Sequence, residues 1–436
     1  MAVGMSSRFI GWLVLALCAA VGSDCLVDSA ESLPISTYCV SADQCAALCR
    51  RFVEGDKSPE DFIQRAAYEL GPPETFKLPQ AEASTPPVVD PTNVYSEVGS
   101  NKFSAAVADA LPRIYSPNLI TGKVDVIDPA TFTVVDHFNA GASPEHIVPS
   151  WDLQTLWVTG DVSGPGAHGS LVPIDPKTAK PGTPVKVDDA YNMYFTPDGR
   201  SAIVVAEAMR RLEFRDPHTM EMQGYVNAPQ CAGINHADFA IDGSYAIFTC
   251  EFNNALVKID LNKHELIGTL KLAPGHMPQD IRIAPDGSLF FVADMLGDGV
   301  VVVSAATFQE VGFIPTGVGT HGLYPSRDGK RLYVTNRGTH NLAGVRQGAG
   351  SISVIDFKSR EVVANWPIPN GGSPDMGNVS ADGQTLWLSA RYDGAVYAIN
   401  TTDGSVKTIP VGGMPHGLTV WPQPGRYSLG HTGNMR

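Results

Sequence analysis

Short apolar runs joined in pairs by tight turns are the main pattern of this chain from about residue 111 onward. Five of these pairs share an Asp-Gly turn, as in SRDGKRLYVTN around Asp328, and a sixth keeps only the aspartate. An Asp-Gly pair between two apolar runs is a strong hairpin signal, so the pattern predicts repeated β-hairpins. The six turn aspartates are Asp152, Asp198, Asp242, Asp286, Asp328 and Asp382.

The hairpins recur at a nearly constant distance. Consecutive turn aspartates are 46, 44, 44, 42 and 54 residues apart, and the longest step carries a Gly-rich insert at 337–350. A period in the forties built from short β runs is typical of a propeller blade. Inner strands are predicted to begin near residues 146, 192, 236, 281, 323, 377 and 417.

The two ends of the repeat region complete one another. Three predicted strands between about residues 113 and 139 have no preceding inner strand, and the inner strand at 417–421 has no following partners. Pairing these ends closes the ring and removes its open edges. The sequence therefore predicts an all-β fold, a seven-bladed β-propeller over 111–425 with N-/C-terminal strand closure. The C-terminal tail, 426–436, is too polar to be a strand throughout, and whether it folds back across the channel stays open.

The repeat resembles that of the YVTN-type β-propeller repeat proteins. The tetrapeptide YVTN stands intact at 333–336, and KVDVID (123–128), ALVKID (255–260) and SISVID (351–356) match the V-x-V-I-D strand of that family. The resemblance covers about 110–425 and implies the seven-bladed propeller fold. It also implies a secreted or periplasmic bacterial protein, distantly similar to the haem d1 domain of cytochrome cd1 nitrite reductase, which holds a cofactor in the same funnel.

Composition narrows the range of partners. The chain has 436 residues, and its 43% hydrophobic content is enough for a large core. A net charge of -14, with no basic cluster beyond short Arg pairs, argues against nucleic acid and anionic membranes as partners. The sequence contains no G-x-S-x-G elbow, Walker loop or H-E-x-x-H motif, so no hydrolase signature is present and no catalytic residue can be assigned.

The first 110 residues differ from the repeat region. Residues 1–22 predict a secretory signal peptide, because Arg8 precedes an apolar run of about a dozen residues that ends in small residues. That run is too short for a membrane span, and none is predicted after its removal. Residues 23–75 predict a small helical segment that contains cysteines, and residues 76–110 predict a proline-rich linker with little to bury.

The cysteines fit an oxidising compartment. Removing the signal peptide leaves an even number, which favours disulfides. The four cysteines of the helical segment predict two disulfides in preference to a metal knot, because no histidine lies nearby: Cys25, Cys39, Cys45 and Cys49. Cys231 and Cys250 predict a further disulfide, with a thiolate pair beside His236, pointing to copper, as the alternative. The absence of a CxxCH motif excludes c-type haem.

Candidate chemistry gathers where the chain enters the inner strands. These loops meet at one mouth of a propeller, the upper mouth, and the Asp-Gly turns lie at the lower mouth. The residues seven and six positions before each turn aspartate, with the equivalent pair at 416–417, therefore form a ring that we call the inner ring. Its histidines are the predicted metal ligands: His146, His236, His321 and His416. The predicted cofactor-binding residues of the ring are Glu145, Tyr191, Asn192, Asn235, Gln279, Asp280, Asp375 and Met376. His431 is in the tail and outside this ring.

These residues predict an exported propeller that binds a metal ion or a small cofactor-like ligand in a His/Asp-lined funnel. The metal would be a transition metal such as copper, iron or zinc. One alternative is a metal-dependent oxidoreductase, copper or iron, that uses the four histidines with Asp280, Asp375 or Glu145 in support. A second is a non-catalytic scaffold whose rim or N-terminal segment contacts a protein partner. Polar residues at this mouth are also expected from solvent contact alone.

Overall fold

Seven β-sheets form a closed ring in the computed structural model, which describes residues 85–162, 168–431 and 433–436. This arrangement confirms the predicted seven-bladed propeller. The predicted signal peptide, the helical cysteine segment and the first part of the predicted linker lie outside the described residues.

Each blade is an antiparallel sheet whose strands lie side by side, with the first strand at the channel and the last on the outside of the ring. The first three strands are β1 (Arg113–Asn118), β2 (Lys123–Asp128) and β3 (Thr133–Asn139). Blade one contains β4 (Pro144–Pro149), β5 (Leu156–Gly160), β6 (Gly169–Asp175), β7 (Lys180–Pro181) and β8 (Val185–Val187). Blade two contains β9 (Asn192–Phe195), β10 (Ala202–Ala206), β11 (Arg211–Arg215) and β12 (Met222–Asn227). Blade three contains β13 (Ile234–Phe239), β14 (Tyr245–Cys250), β15 (Ala255–Asp260) and β16 (Glu265–Lys271).

The remaining blades repeat this order. Blade four contains β17 (Pro278–Ile283), β18 (Leu289–Asp294), β19 (Gly299–Ser304) and β20 (Glu310–Pro315). Blade five contains β21 (Thr320–Pro325), β22 (Arg331–Asn336), β23 (Ser351–Asp356) and β24 (Glu361–Pro367). Blade six contains β25 (Pro374–Val379), β26 (Thr385–Ala390), β27 (Ala395–Asn400) and β28 (Val406–Pro410). The last strand is β29 (Thr419–Trp421), and short 3-10 helices cover Ala105–Val107, Glu251–Asn253 and Pro369–Gly371.

Ring closure joins the two ends of the chain. β29 pairs antiparallel with β1, in the register Ile114 to Val420, so blade seven has the order β29-β1-β2-β3. This is the predicted strand closure. Because the inner strand of the last blade comes from the C-terminal end of the repeat, one sheet is built from both ends of the chain, and this closes the ring.

The Asp-Gly turns form as the sequence predicts. Gly329 has a φ of +67°, a left-handed conformation that glycine adopts at little cost. Asp328 accepts hydrogen bonds from the Ser326 hydroxyl at 2.6 Å and from the Lys330 N–H at 3.1 Å. The same glycine conformation recurs at the other four Asp-Gly turns. Each turn therefore sets the register of its hairpin and the height of the inner strand in the channel.

A β-bulge at the start of the inner strand aims the inner-ring side chains. In blade five the register shifts between Thr320 and Leu323, and the Gly322 N–H donates to the Thr335 hydroxyl of the YVTN strand at 2.7 Å. The same bond, over the same thirteen residues, joins His146 to Thr159 and His236 to Thr249. The repeated threonine therefore holds the strand start that carries the inner ring.

Side chains also connect neighbouring inner strands. The inner edge of each blade has N–H groups without a strand partner, and these need acceptors when they are buried. The Ala237 N–H donates to the Tyr194 hydroxyl, and the Ile283 N–H donates to Asp238 at 2.8 Å. The acceptors along the ring are Tyr194, Asp238, Asp280, Tyr324 and Asn378. Several of the most buried polar residues thus have a structural role between blades.

The predicted linker is packed on the propeller where the structure describes it. Val94, Tyr95, Val98 and Val107 are buried in the apolar cluster that includes blade four. The Tyr95 hydroxyl donates to the Ile283 carbonyl at 2.6 Å. The expectation of little buried surface is therefore wrong for this stretch, because apolar residues among the prolines find a face to cover. No helix of the described residues is long and apolar enough to cross a membrane.

The C-terminal tail pairs with the channel edge of blade two. The Phe195 N–H donates to the Leu429 carbonyl at 3.0 Å, and the His431 N–H donates to the Met193 carbonyl at 3.1 Å. Beyond it, the Arg436 guanidinium pairs with Asp238 of blade three at 2.8 Å. The tail therefore folds back into the channel, which the sequence left open.

Candidate functional site

Three histidines come together in the channel: His146 of β4, His236 of β13 and His431 of the tail. We call them the His trio. Their candidate ligand atoms all lie within 4.8 Å of one another, and all three residues are fully buried. The Nε2 atom of each ring has no hydrogen-bond partner among the described residues. Buried polar atoms are nearly always paired, so three unpaired ring nitrogens in one place are typical of a ligand site.

The chain entering blade two orients His146. Its Nδ1 lies 2.9 Å from the carbonyl oxygen of Tyr191. A carbonyl oxygen only accepts hydrogen bonds, so Nδ1 carries the proton and Nε2 keeps its lone pair. A backbone carbonyl that holds the second ring nitrogen in this way is common for metal-binding histidines.

Asn192 lies between the other two imidazoles. Its Nδ2 is 3.2 Å from Nδ1 of His236 and 2.9 Å from Nδ1 of His431. Its Oδ1 accepts the Met193 backbone N–H at 2.8 Å, which sets the orientation of the carboxamide. Nδ2 also lies 3.3 Å from the Tyr194 hydroxyl, which is the longest of its three contacts. Its two hydrogens therefore go to the two rings, and each neutral ring carries its proton on Nε2.

His431 is the one member of the trio that was not predicted from the sequence. Alignment on the Asp-Gly turn places only residues inside the repeat, and His431 comes after the last inner strand. The one available signal was local: a histidine next to Gly430 in a tail too polar for a strand.

The other two predicted metal ligands flank the trio. His416 Nδ1 lies 2.6 Å from Asp375 Oδ2, and its ring centre is 4.8 Å from that of His146. His321 Nδ1 lies 3.1 Å from Asp375 Oδ1 without the angle of a hydrogen bond, and its ring centre is 6.3 Å from that of His236. Asp375 also accepts from Arg337 Nε at 2.7 Å. The four predicted histidines are thus neighbours, but only two of them belong to the trio.

Burial keeps the imidazoles neutral. It lowers the pKa of His416 to about 4, although Asp375 opposes the shift. Burial, with the neighbouring His416 as the next cause, lowers the pKa of His146 well below its ordinary value. The pKa values of His236, His321 and His431 are lowered well below it too, again chiefly by burial. Neutral imidazole is the form that binds metal ions.

A second ring of residues, charged in each of blades one to six except blade four, lies nearer the upper mouth. Its members stand nine residues after each turn aspartate, and we call it the charged ring: Asp161, Glu207, Glu251, Met295, Arg337 and Arg391. Blades one to three contribute carboxylates, and blades five and six contribute guanidinium groups. Burial and then the charge of Glu251 raise the pKa of Glu207 well above its ordinary value. This ring was not predicted from the sequence, although its constant spacing from the turn was available as a signal.

Three of the predicted cofactor-binding residues lie beside the histidines. Glu145 Oε2 is 3.8 Å from His416 Nε2, and Asp280 Oδ1 is 3.8 Å from His431 Nε2. The ring of Tyr191 meets that of His146 edge-on, with centres 5.1 Å apart. Asn192, described above, bridges two members of the trio.

The remaining predicted residues serve other contacts. Asn235 is buried and donates to Glu251 at 2.8 Å, so it supports the charged ring. Gln279 is also buried. The Met376 sulfur accepts the Tyr324 hydroxyl at 3.2 Å, and the residue belongs to the apolar cluster of blades five and six. Met376 is therefore not brought to the His trio.

The predicted disulfide of blade three is confirmed. The sulfurs of Cys231 and Cys250 are 1.95 Å apart, and the bond links the loop before β13 to the end of β14. A thiolate pair beside His236 is therefore wrong, because both sulfurs are bonded to each other. The disulfide ties down the strand ends that carry His236 and Glu251.

Solved structures similar to this chain share the propeller fold. A putative 6-phosphogluconolactonase from Bacteroides uniformis has a TM-score of 0.58 at 16% identity, over 70% of this chain and 98% of its own. The periplasmic gluconolactonase of Pseudomonas aeruginosa has a TM-score of 0.56 at 17% identity, over 72% and 99%. The dihydro-haem d1 dehydrogenase NirN, in complex with DHE, has a TM-score of 0.53 at 13% identity, over 90% and 88%.

At these identities the likeness shows the fold alone. A comparison with curated protein sequences finds no match. The model of the YNCE-like β-propeller family matches residues 80–424, which is most of the chain. On this match, and with the seven blades in place, the chain belongs to the YNCE-like β-propeller family.

Proposed function

We propose that this protein is an exported propeller that binds a transition-metal ion through the His trio of its channel. The observation that carries the proposal is the trio itself: three buried imidazoles whose candidate ligand atoms lie within 4.8 Å of one another. Export, to the periplasm or outside the cell, rests on the predicted signal peptide and the disulfide of blade three.

The donor set favours particular metals. Three imidazole nitrogens suit copper, zinc or iron, whereas calcium and magnesium prefer oxygen ligands. His146 is oriented for this role, because its Nδ1 proton is held by a carbonyl and its Nε2 lone pair points away. His416, held by Asp375, lies close enough to His146 to support a fourth position.

Metal content tests the proposal. The mature protein is loaded separately with copper, zinc and iron, dialysed, and analysed by mass spectrometry of the elements. We expect about one tightly held ion of at least one of these metals per chain in the wild type, and its loss in a His146→Ala/His431→Ala double variant.

The matched control is His218→Ala, because the His218 side chain is 71% exposed in a surface turn outside the channel. This variant should retain the wild-type amount of metal. A wild type that retains no metal after loading, or a double variant that retains as much as His218→Ala, would overturn the proposal. Thermal unfolding of each metal-free variant shows whether the variant is still folded. Loss of the metal site can then be distinguished from loss of the fold.

A further inference from the structure

Asn192 controls which nitrogen two members of the trio can offer. Its carboxamide oxygen is engaged by the Met193 N–H, so its amide hydrogens point at Nδ1 of His236 and of His431. Nδ1 of each ring must then be the unprotonated nitrogen, and Nε2 carries the hydrogen. His146 is in the opposite tautomer, because its Nδ1 donates to a carbonyl.

This arrangement is unfavourable for a metal bound at the three Nε2 atoms. A ring that binds a metal through Nε2 needs its one proton on Nδ1, where an acceptor should receive it. At His236 and His431 the position opposite Nδ1 is held by an N–H donor. Each ring would keep one proton, moved from Nε2 to Nδ1, while the carboxamide of Asn192 turns its oxygen toward the rings and gives up the Met193 N–H.

Resting on the proposed function, we infer that Asn192 is a positioning residue that sets the tautomers of His236 and His431 and thereby lowers the affinity of the trio for metal. A carboxylate in its place has two acceptor oxygens and no donor. Asn192→Asp therefore favours the Nδ1–H tautomer on both rings and leaves both Nε2 lone pairs available. Partners of ligand histidines commonly change metal affinity by about 10- to 100-fold, and we expect Asn192→Asp to raise it at least about tenfold.

The tautomers can be measured without metal. Long-range proton–nitrogen correlation spectra of the apo wild type, labelled with nitrogen-15 at histidine, distinguish the two ring nitrogens at neutral pH. Spectra of His→Gln variants assign each ring. We expect Nε2–H for His236 and His431 and Nδ1–H for His146. Nδ1–H signals for His236 and His431 in the wild type would overturn the role of Asn192, whatever the protein binds.

Metal affinity supplies the second arm. Copper and zinc titrations compare the wild type with Asn192→Asp and with Asn235→Asp, which makes the same charge change at a buried inner-ring residue that donates to Glu251. Tighter binding by Asn192→Asp alone supports the inference. An equal increase of metal affinity in both variants would show that the added negative charge alone causes it. That result would overturn the inference. If no variant binds metal while the tautomers are as expected, the proposed function fails and the tautomer assignment stands.

Discussion

Asp375 is the carboxylate that Arg337 and His416 both contact in the channel. It is fully buried and accepts from His416 and from the equally buried Arg337. Burial alone would raise its pKa, but Arg337 first, and then His416 and His321, hold that pKa well below its ordinary value. Asp375 is therefore ionised at neutral pH and balances a guanidinium that has no access to water.

Replacing Asp375 by asparagine should destabilise the fold strongly. The change leaves the Arg337 charge buried with its nearest anion gone, and removal of one partner of a buried pair costs about 3–5 kcal/mol. The measurement is the free energy of unfolding in urea. Asp136→Asn is the control, because the Asp136 and Lys180 side chains of this pair are 41% and 66% exposed. Its cost should be much smaller, because exposed ion pairs contribute little to stability. Equal costs at the two positions would contradict a special role for the buried pair.

The strands and turns are the features that the sequence of this protein predicts best. The Asp-Gly turn at Asp328 recurs with its glycine conformation, and counting back from it identifies the residues that face the channel, such as His146 and His236. This works because a β-hairpin is a local structure whose register is set by its turn. The tail has no such local rule. Its position depends on pairing with the edge of β9, far away in sequence, so His431 could not be placed.

The imidazole of His431 should be replaceable by free imidazole. His431→Gly leaves the backbone bond to Met193 possible and removes only the ring, so we expect the apo propeller to stay folded and metal loading to be lost. Imidazole added to the buffer should restore loading, because the free ring can occupy the space of the missing side chain. The wild type with added imidazole is the control and should be unchanged. Full loading of His431→Gly without imidazole would show that the tail contributes no ligand.

Stability of the whole propeller should depend on pH through groups buried in its channel. His416 has its pKa lowered from 6.5 to about 4 in the folded protein. When the pH falls from 6.5 to 4, His416 takes up a proton in the unfolded chain but stays neutral in the folded protein. The free energy of unfolding therefore decreases. A shift of this size is worth about 3 kcal/mol. The other buried histidines of the channel act in the same direction.

Asp280 acts in the opposite direction over nearly the same pH range. Burial raises its pKa from 3.8 to about 6, so the folded protein takes up a proton before the unfolded chain does. Its contribution therefore stabilises the fold as the pH falls from 6 to 3.8. Asp375 stays ionised throughout this range, because its lowered pKa moves its own titration below pH 3.8.

His416 and Asp280 can be tested through the slope of the free energy of unfolding against pH. The buried carboxyl groups of Glu207, Glu251 and Asp189 also have raised pKa values and act in the same direction as Asp280, so each variant is compared with the metal-free wild type. Stability is measured by urea unfolding in steps between pH 6.5 and 4. As the pH falls over this range, His416→Gln should lose less stability than the wild type, or gain more, and Asp280→Asn should do the reverse, whatever either change does to stability at pH 7. Parallel curves for the three proteins would mean that neither group titrates as its burial requires. Opposite changes of slope would show that acid sensitivity of the propeller is set inside its channel.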